Sequence, residues 1–155
     1  MSQPQPPHLA KLVIGLIMRQ RELITPVVGD LTACFGAIDM VSPWFDFTYT
    51  HYYTPEMGTP LFRRVLVFKE LIRQKDLGDI KQQTNAVEHR YGRDDRRSVN
   101  IDPGYLLRER FVLATGKNFA HRIYIGKGIY ADLTLIYRKG AFEPLAWTYP
   151  DYADR

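Results

Sequence analysis

The feature that most constrains the fold is a long run of strand-forming residues in the second half of the chain, from Ser98 to Tyr137. Within it, residues 119–125 (FAHRIYI) and 129–137 (IYADLTLIY) are rich in the aromatic and β-branched side chains that favour strands. The residues between them, Gly126-Lys127-Gly128, supply the glycines that a tight hairpin turn needs. We therefore predict a β-hairpin with Lys127 at its tip.

The register of this hairpin separates an apolar face from a polar one. Pairing outward from the turn sets Ile125 opposite Ile129, Ile123 opposite Ala131, His121 opposite Leu133, Phe119 opposite Leu135, Tyr124 opposite Tyr130 and Arg122 opposite Asp132. Because successive side chains alternate between the two faces of a strand, the first four pairs form the apolar face and the last two the polar face. We expect His121 to point into the core and Arg122 to point away from it.

A second turn is predicted upstream, where residues 100–105 (NIDPGY) end an earlier strand. Pro103 and Gly104 fit the two central positions of a type II turn, the second of which needs a positive φ. Asp102 can bond back to the amides of such a turn. The two-residue period of a strand puts Asn100 and Asp102 on the same face.

The order of the remaining elements predicts the fold class. We expect strands at 12–18, 38–53, 62–71, 97–102 and 111–114, with helices at 21–35 and 76–91. Up to residue 102 this is strand, helix, strand, strand, helix, strand, the order of a ferredoxin-like βαββαβ core. The prediction is a single α+β domain over 11–152, an antiparallel sheet with two helices on one face and a C-terminal β-hairpin extension. Residues 1–10, rich in proline, are expected to be a disordered lead.

Amino-acid composition limits the cellular compartment and the kinds of binding partner that we expect. The net charge of +4 is compatible with an anionic partner without requiring one. The single cysteine, Cys34, excludes a disulfide within the chain and favours the cytoplasm. The first eight residues, MSQPQPPH, lack the features of a signal peptide, and no apolar run is long enough for a membrane span.

Motifs for common cofactors and metals are missing. A P-loop needs a glycine five residues before its Gly-Lys pair and a Ser or Thr after it. The pairs Gly116-Lys117 and Gly126-Lys127 have Phe111 and His121 at the first position and fail the test. The four histidines are scattered without metal-ligand spacing, so the sequence indicates no metal site, and any cofactor is unknown.

Three functions remain open from the residues alone. The first is binding of a small anionic ligand, a nucleotide or a phosphorylated metabolite, near the 100–105 turn and the 122–130 hairpin. The residues that would bind it are Asn100, Arg122, Tyr124, Lys127 and Tyr130. Arg122 and the glycine-flanked Lys127 would hold the anion, although a cross-strand ion pair and a solvated turn lysine explain them equally simply.

The second is a hydrolase or phosphoesterase, in which His121 acts as acid–base and Asp102 orients it or binds a metal ion. Against this stands a histidine that is merely buried and hydrogen bonded. The third is an RNA- or protein-interaction module that uses the arginines of residues 90–97. It would add a set of aromatic residues, Tyr52, Tyr53, Trp147, Tyr149 and Tyr152.

Four strings resemble the prokaryotic family known as domain of unknown function 4416. They are KLVIGLI (11–17), EMGTPL (56–61), NIDPGYL (100–106) and the long stretch at 113–152. The family's recurring pattern falls here on Asn100, Asp102, Pro103, Gly104, Tyr105, His121, Arg122, Tyr124, Gly126, Lys127, Gly128, Tyr130, Trp147, Tyr149 and Pro150. Some members carry the label "GTP-binding protein", which the missing P-loop does not support in this chain. The resemblance implies which residues matter and no established catalytic role.

Overall fold

The nine described strands form one open antiparallel sheet. The computed structural model describes residues 1–50 and 52–153. The strands are Ala10–Met18 (β1), Ile38–Val41 (β2), Phe45–Asp46 (β3), Phe62–Ile72 (β4), Val99–Leu106 (β5), Arg110–Thr115 (β6), Arg122–Gly126 (β7), Ile129–Arg138 (β8) and Ala141–Pro144 (β9). The helices are Ile24–Phe35 (α1), Thr54–Met57 (α2), Leu77–Arg90 (α3) and Pro150–Ala153 (α4).

The strand order is β2-β4-β1-β5-β6-β8-β7. The short strand β3 pairs with β4, and β9 pairs with β8. β1 lies inside the sheet between β4 and β5, and its residues from Leu12 to Met18 are buried. The predicted strand at 12–18 is therefore confirmed, and the structure shows that it is buried on both faces.

The two long helices pack on the same face of the sheet. Even-numbered residues of β1, such as Leu16, meet Val27 and Leu31 of α1 and Ile80 and Val87 of α3 in one apolar cluster. The predicted α+β class with an antiparallel sheet is confirmed, and the sheet is larger than expected. None of the described helices is long and apolar enough to cross a membrane.

The opposite face, here called the distal face, is covered by two segments without long helices. One is formed by residues 47–50 and 52–61, whose Phe47 and Met57 pack on Ile17. The other is residues 145–153, here called the C-terminal segment, whose Tyr152 packs against an apolar group on the sheet. That group consists of Val13, Val65, Phe111, Leu113 and Leu135.

The predicted hairpin forms, with a correction to its facing. The pairs Arg122–Asp132, Ile123–Ala131 and Tyr124–Tyr130 are as predicted, and a bulge then pairs Gly126 with Ile129. Lys127 at the tip has φ 56° between two glycines that also have positive φ, as the turn requires.

The assignment of inner and outer faces on this hairpin was wrong. Ile123 is 69% exposed, whereas Arg122 and Asp132 are 7% and 5% exposed. The reason is that β7 is the last strand of a wide sheet whose helix layer has only two long helices. His121 precedes the first residue of β7 and lies beside Asp132 on the distal side, so the predicted pair with Leu133 does not form.

Two further boundaries differ from prediction. Pro103 and Gly104 lie inside β5 and form no turn. The pairing of β5 with β6 begins only at Gly104, so β6 loses no bond to the missing N–H of Pro103. A β-carbon on Gly104 would stand 2.6 Å from the Val112 carbonyl oxygen, and this close approach explains the glycine. The predicted strand 38–53 is split into β2 and β3.

Candidate functional site

The centre of the distal face is a position without a side chain, Gly15 on β1. Its neighbours across the sheet are Val65 on β4 and Asp102 on β5. The Tyr152 hydroxyl stands above it, 2.5 Å from where a β-carbon would be. Gly15 therefore gives the C-terminal segment room to lie directly on the sheet, and polar residues surround this point.

The C-terminal segment is attached to the edge of the sheet by side-chain hydrogen bonds. The Trp147 indole N–H donates to the Leu133 carbonyl oxygen at 2.7 Å, and the Thr148 hydroxyl donates to the Thr134 carbonyl oxygen at 2.6 Å. Both acceptors belong to β8. The segment thus crosses the distal face from β8 towards β4, where Asp151 meets an arginine.

That arginine, Arg63 of β4, is buried on the distal face and only 4% exposed. Its Nε lies 3.2 Å from the Asp151 carboxylate, and its guanidinium carbon lies 4.8 Å from the centre of the Tyr152 ring. Its Nη2 is buried and has no hydrogen-bond acceptor among residues 1–50 and 52–153. A buried donor without a partner is costly, so this nitrogen marks a place where a further oxygen would bind favourably.

Arg97, in the loop before β5, connects helix α2 to the sheet. Its guanidinium donates to both carboxylate oxygens of Glu56, at 2.7 and 3.0 Å, and to the Asn100 side-chain oxygen at 2.6 Å. The hydrogen bonds from Arg97 hold the pKa of Glu56 below its usual range, although partial burial opposes this. The fork of two parallel bonds fixes α2 against the start of β5.

Asp102 and its neighbours form the polar wall beside Gly15. The Asn100 amide donates to the Asp102 carboxylate at 2.9 Å, and Lys81 of α3 lies 3.9 Å from the other carboxylate oxygen. Burial raises the pKa of the Tyr53 hydroxyl well above its ordinary value, and the charge of Asp102 raises it further. Tyr53 therefore stays protonated and can donate a hydrogen bond at this wall.

Two charged side chains of α3, Glu88 and Lys81, hydrogen bond to the main chain of β5. The Ile101 N–H donates to Glu88 at 2.7 Å, and Lys81 donates to the Ile101 carbonyl oxygen at 3.2 Å. Because β6 pairs with β5 only from Gly104 onward, these two side chains satisfy the open edge of β5. Burial raises the pKa of Glu88, against the opposing charge of Lys81.

A second polar group lies at the far side of the distal face, around Arg122. Its Nε donates to Asp132 at 2.9 Å, and its two remaining nitrogens donate to the Lys117 carbonyl oxygen at 3.0 Å and the Tyr149 hydroxyl at 2.9 Å. His121 Nε2 lies 3.3 Å from the same Asp132 carboxylate. The buried arginine is therefore fully engaged within the protein.

His121 is held by aromatic rings as well as by this carboxylate. Its ring stacks on Trp147 with centroids 4.9 Å apart and on Phe119 at 6.1 Å. Its hydrogen-bonded carboxylate is Asp132 rather than the predicted Asp102, whose partners are Asn100 and Lys81.

The hairpin tip lies apart from these groups. Lys127 pairs with Asp79 of α3, and its carbonyl oxygen accepts a hydrogen bond from Gln82 at 3.3 Å. It therefore belongs to the helix side of the sheet, whereas Asn100 lies on the distal face. Tyr124 and Tyr130 pack together with ring centroids 5.2 Å apart on the same side as Arg122.

The arginines of residues 90–97 do not form one free patch. Arg90 lies 3.5 Å from Asp30, and Arg97 is engaged by Glu56. Arg93 and Arg96 are exposed at a tight turn that also carries Asp94 and Asp95. Use of this region for RNA stays a prediction.

Two of the open hollows on the surface lie away from Gly15. One open hollow of about 950 Å³ is lined by residues that include Leu9, Leu107 and Phe142, and another of about 410 Å³ by Arg73, Asp79 and Gln83. Neither touches the distal-face cluster. Among the described residues, no group of three His, Cys, Asp or Glu side chains is arranged to hold a metal ion.

Comparison with known families gives one match. The model of the family described as "Domain of unknown function (DUF4416)" matches residues 8–155. The chain belongs to the DUF4416 family. No curated protein and no solved structure matches it.

For this DUF4416 member, sequence reasoning missed the residue with the free donor. Arg63 lies in phase with Leu61, Val65 and Val67, so an arginine on the apolar side of a strand was a signal available in the sequence. Asp132 was seen only as a cross-strand partner. The roles of Tyr53 and Glu56 depend on how residues 47–50 and 52–61 pack on the sheet, and no pattern in the nearby sequence predicts them.

We predict that Glu56→Gln lowers stability in a pH-dependent way. The folded-state pKa of Glu56 lies below its unfolded value of about 4.5, so its stabilisation is present above that pH and is lost as the pH falls through the folded-state pKa. Near neutral pH, the free energy of unfolding of the wild type should exceed that of Glu56→Gln by about 1 kcal/mol. Urea unfolding at several pH values measures the difference.

Two variants control this experiment. Glu88→Gln should show the opposite trend, because the pKa of Glu88 is raised and its wild-type advantage grows as the pH falls. Glu22→Gln, at an exposed position before α1, should change little. A Glu56→Gln difference that is constant from pH 7 to pH 3 would contradict the ion-pair account.

Proposed function

We propose that this protein binds a small anionic ligand, a nucleotide or a phosphorylated metabolite, on the distal face at the guanidinium group of Arg63. The observation that carries the proposal is the buried Nη2 of Arg63, which has no acceptor among the described residues. An anionic oxygen there would complete the guanidinium fork that Asp151 fills on its other side.

The charge around Arg63 suits an anionic group attached to a polar body. Arginine binds phosphate and carboxylate oxygens in a planar fork and remains charged even when buried. Asp151 neutralises one side of the guanidinium, so a bare multivalent ion would be repelled at that side. A ligand that brings one anionic group to Nη2 and neutral groups elsewhere fits this charge distribution.

The polar wall supports a ligand that carries hydroxyl groups. Asp102 is half-buried and accepts hydrogen bonds, whereas Tyr53 and Asn100 carry donors. Arg63 and Asp102 are two strands apart and offset by two residues, so their Cα atoms lie about 12 Å from each other. The gap between the two side chains suits a ligand with a phosphate group at Arg63 and sugar hydroxyl groups at Asp102.

The cations first expected to hold the anion are less suited to it. Arg122 is paired with Asp132 and Lys127 with Asp79. An added anion would compete with that carboxylate at either position, and each nitrogen of Arg122 already has an acceptor. This comparison favours Arg63 over the hairpin.

The test is a thermal-shift screen of nucleotides, sugar phosphates and inorganic phosphate on the full chain. A ligand at about 100 times its dissociation constant adds about 2.7 kcal/mol, or roughly 5–10 °C in melting temperature for a chain of this size. Arg63→Lys, which keeps the charge but loses the planar fork, should remove most of this shift. Tyr53→Phe should weaken it.

Two matched variants should keep the shift. Arg64→Lys alters the next residue of β4, whose side chain packs on Trp44 instead of the distal face. Lys127→Gln alters the hairpin tip. Loss of the shift in Lys127→Gln but not in Arg63→Lys, or no shift with any compound, would overturn the proposal.

A second candidate is a hydrolase or phosphoesterase that uses His121 as general acid–base. The contact between His121 and Asp132 supports it, because a carboxylate beside one ring nitrogen fixes the tautomer and leaves the other nitrogen for proton transfer. Asp132 replaces Asp102 as the orienting residue in this version.

Chromogenic phosphate and carboxylate esters, including p-nitrophenyl phosphate, test the enzymatic candidate. His121→Gln should reduce turnover by about 10²- to 10⁴-fold, whereas Asp102→Asn should leave it largely intact. No turnover of any ester, or turnover that survives His121→Gln, would exclude it.

We also infer a ferredoxin-like core and a cytoplasmic location. The elements β1, α1, β2, β4, α3 and β5 follow the βαββαβ order, and the strand order β2-β4-β1-β5 supports that topology. On this reading β3 and α2 are insertions, and β6 to β9 extend the sheet. The exposed free thiol of Cys34 supports a reducing compartment.

A further inference from the structure

The edge strand β7 presents apolar side chains on both of its faces. Ile123, Tyr124 and Ile125 are 69%, 58% and 39% exposed. β7 is the last strand in the sheet order, so one of its edges faces away from β8. Sheet edges in natural proteins are usually protected by lysine, proline or a covering segment.

The main-chain groups of Tyr124 point to this open edge. Arg122 donates its N–H to the Phe119 carbonyl oxygen at 3.0 Å and not to β8. Because bonding alternates along an antiparallel strand, Ile123 bonds to β8 and Tyr124 directs its N–H and C=O outward. The N–H and C=O of Tyr124 are therefore both placed to hydrogen bond with a partner strand.

The sequence of β7 is symmetric about the same residue. Ile123-Tyr124-Ile125 reads the same in both directions, so a two-fold antiparallel pairing sets Tyr124 opposite itself and Ile123 opposite Ile125. The pairing opposes no like charges, since Arg122 meets Gly126 and is already neutralised by Asp132. We propose that β7 pairs with β7 of a second copy of this chain, joining two sheets into one across a two-fold axis.

This self-complementarity favours a second copy over a foreign strand. The two Tyr124 residues would exchange two main-chain hydrogen bonds, and each isoleucine would gain a further apolar neighbour. The inference is independent of the proposed ligand, whose site lies several strands away at β4 and β1.

Sedimentation of the full chain over a range of concentrations tests the dimer. Ile123→Lys should shift the protein to monomer, because a lysine would face Ile125 of the other copy. Met40→Lys, at a 64% exposed position on the opposite edge strand β2, should leave the dimer intact. A wild type that stays monomeric throughout, or a dimer abolished only by Met40→Lys, would overturn the proposal.

The register has its own test. Ile123→Lys and Ile125→Glu should each weaken self-association, and a mixture of the two should form a heterodimer in which lysine meets glutamate. In a Cys34→Ser background, Tyr124→Cys should cross-link on mild oxidation, because directly opposed residues lie about 5.5 Å apart. Failure of both the mixture and the cross-link would exclude this pairing.

Discussion

The burial of β1 on both faces is the constraint on which the rest of the structure depends. Because apolar side chains project from both sides of this strand, each side needs its own covering layer. The helices α1 and α3 cover one side. Residues 47–50 and 52–61 and the C-terminal segment cover the other. Gly15 makes the second cover possible, since Tyr152 lies where its side chain would be.

Covering the distal face with irregular segments brings polar groups into the interior. Such segments have main-chain groups and turns to satisfy, and this protein satisfies them with buried ion pairs. Each nitrogen of Arg122 donates a hydrogen bond, whereas Arg63, which is equally buried, has one nitrogen without an acceptor among the residues that the structure describes. The difference between these two arginines is the basis for locating a ligand at Arg63.

Local signals predicted much of the fold. The glycine-flanked turn at Lys127, three pairs of the hairpin register and the buried strand β1 all follow from residues that lie next to one another. The facing of β7 could not be derived in this way, because it depends on how far the helix layer extends across the sheet. The turn expected at Pro103 failed for a related reason, since neighbouring strands determine whether a proline fits.

The candidate site was less predictable than the fold. Asn100 and Asp102 were predicted to share one strand face, and the structure places both on the distal face together with Arg122. The other groups of the candidate site, Arg63, Tyr53 and Asp151, come from three distant parts of the chain, so no spacing in the sequence connects them. An arginine in phase with the valines of β4 was the one local sign of this centre.

The most direct measurement is an NMR titration that follows the arginine side-chain nitrogens as a nucleotide or sugar phosphate is added. The account predicts a saturable shift of the Arg63 signals, with those of Arg122 nearly unchanged because its nitrogens are already engaged. Signals of Arg63 that do not move, or that move no more than those of exposed arginines such as Arg93 and Arg96, would contradict it.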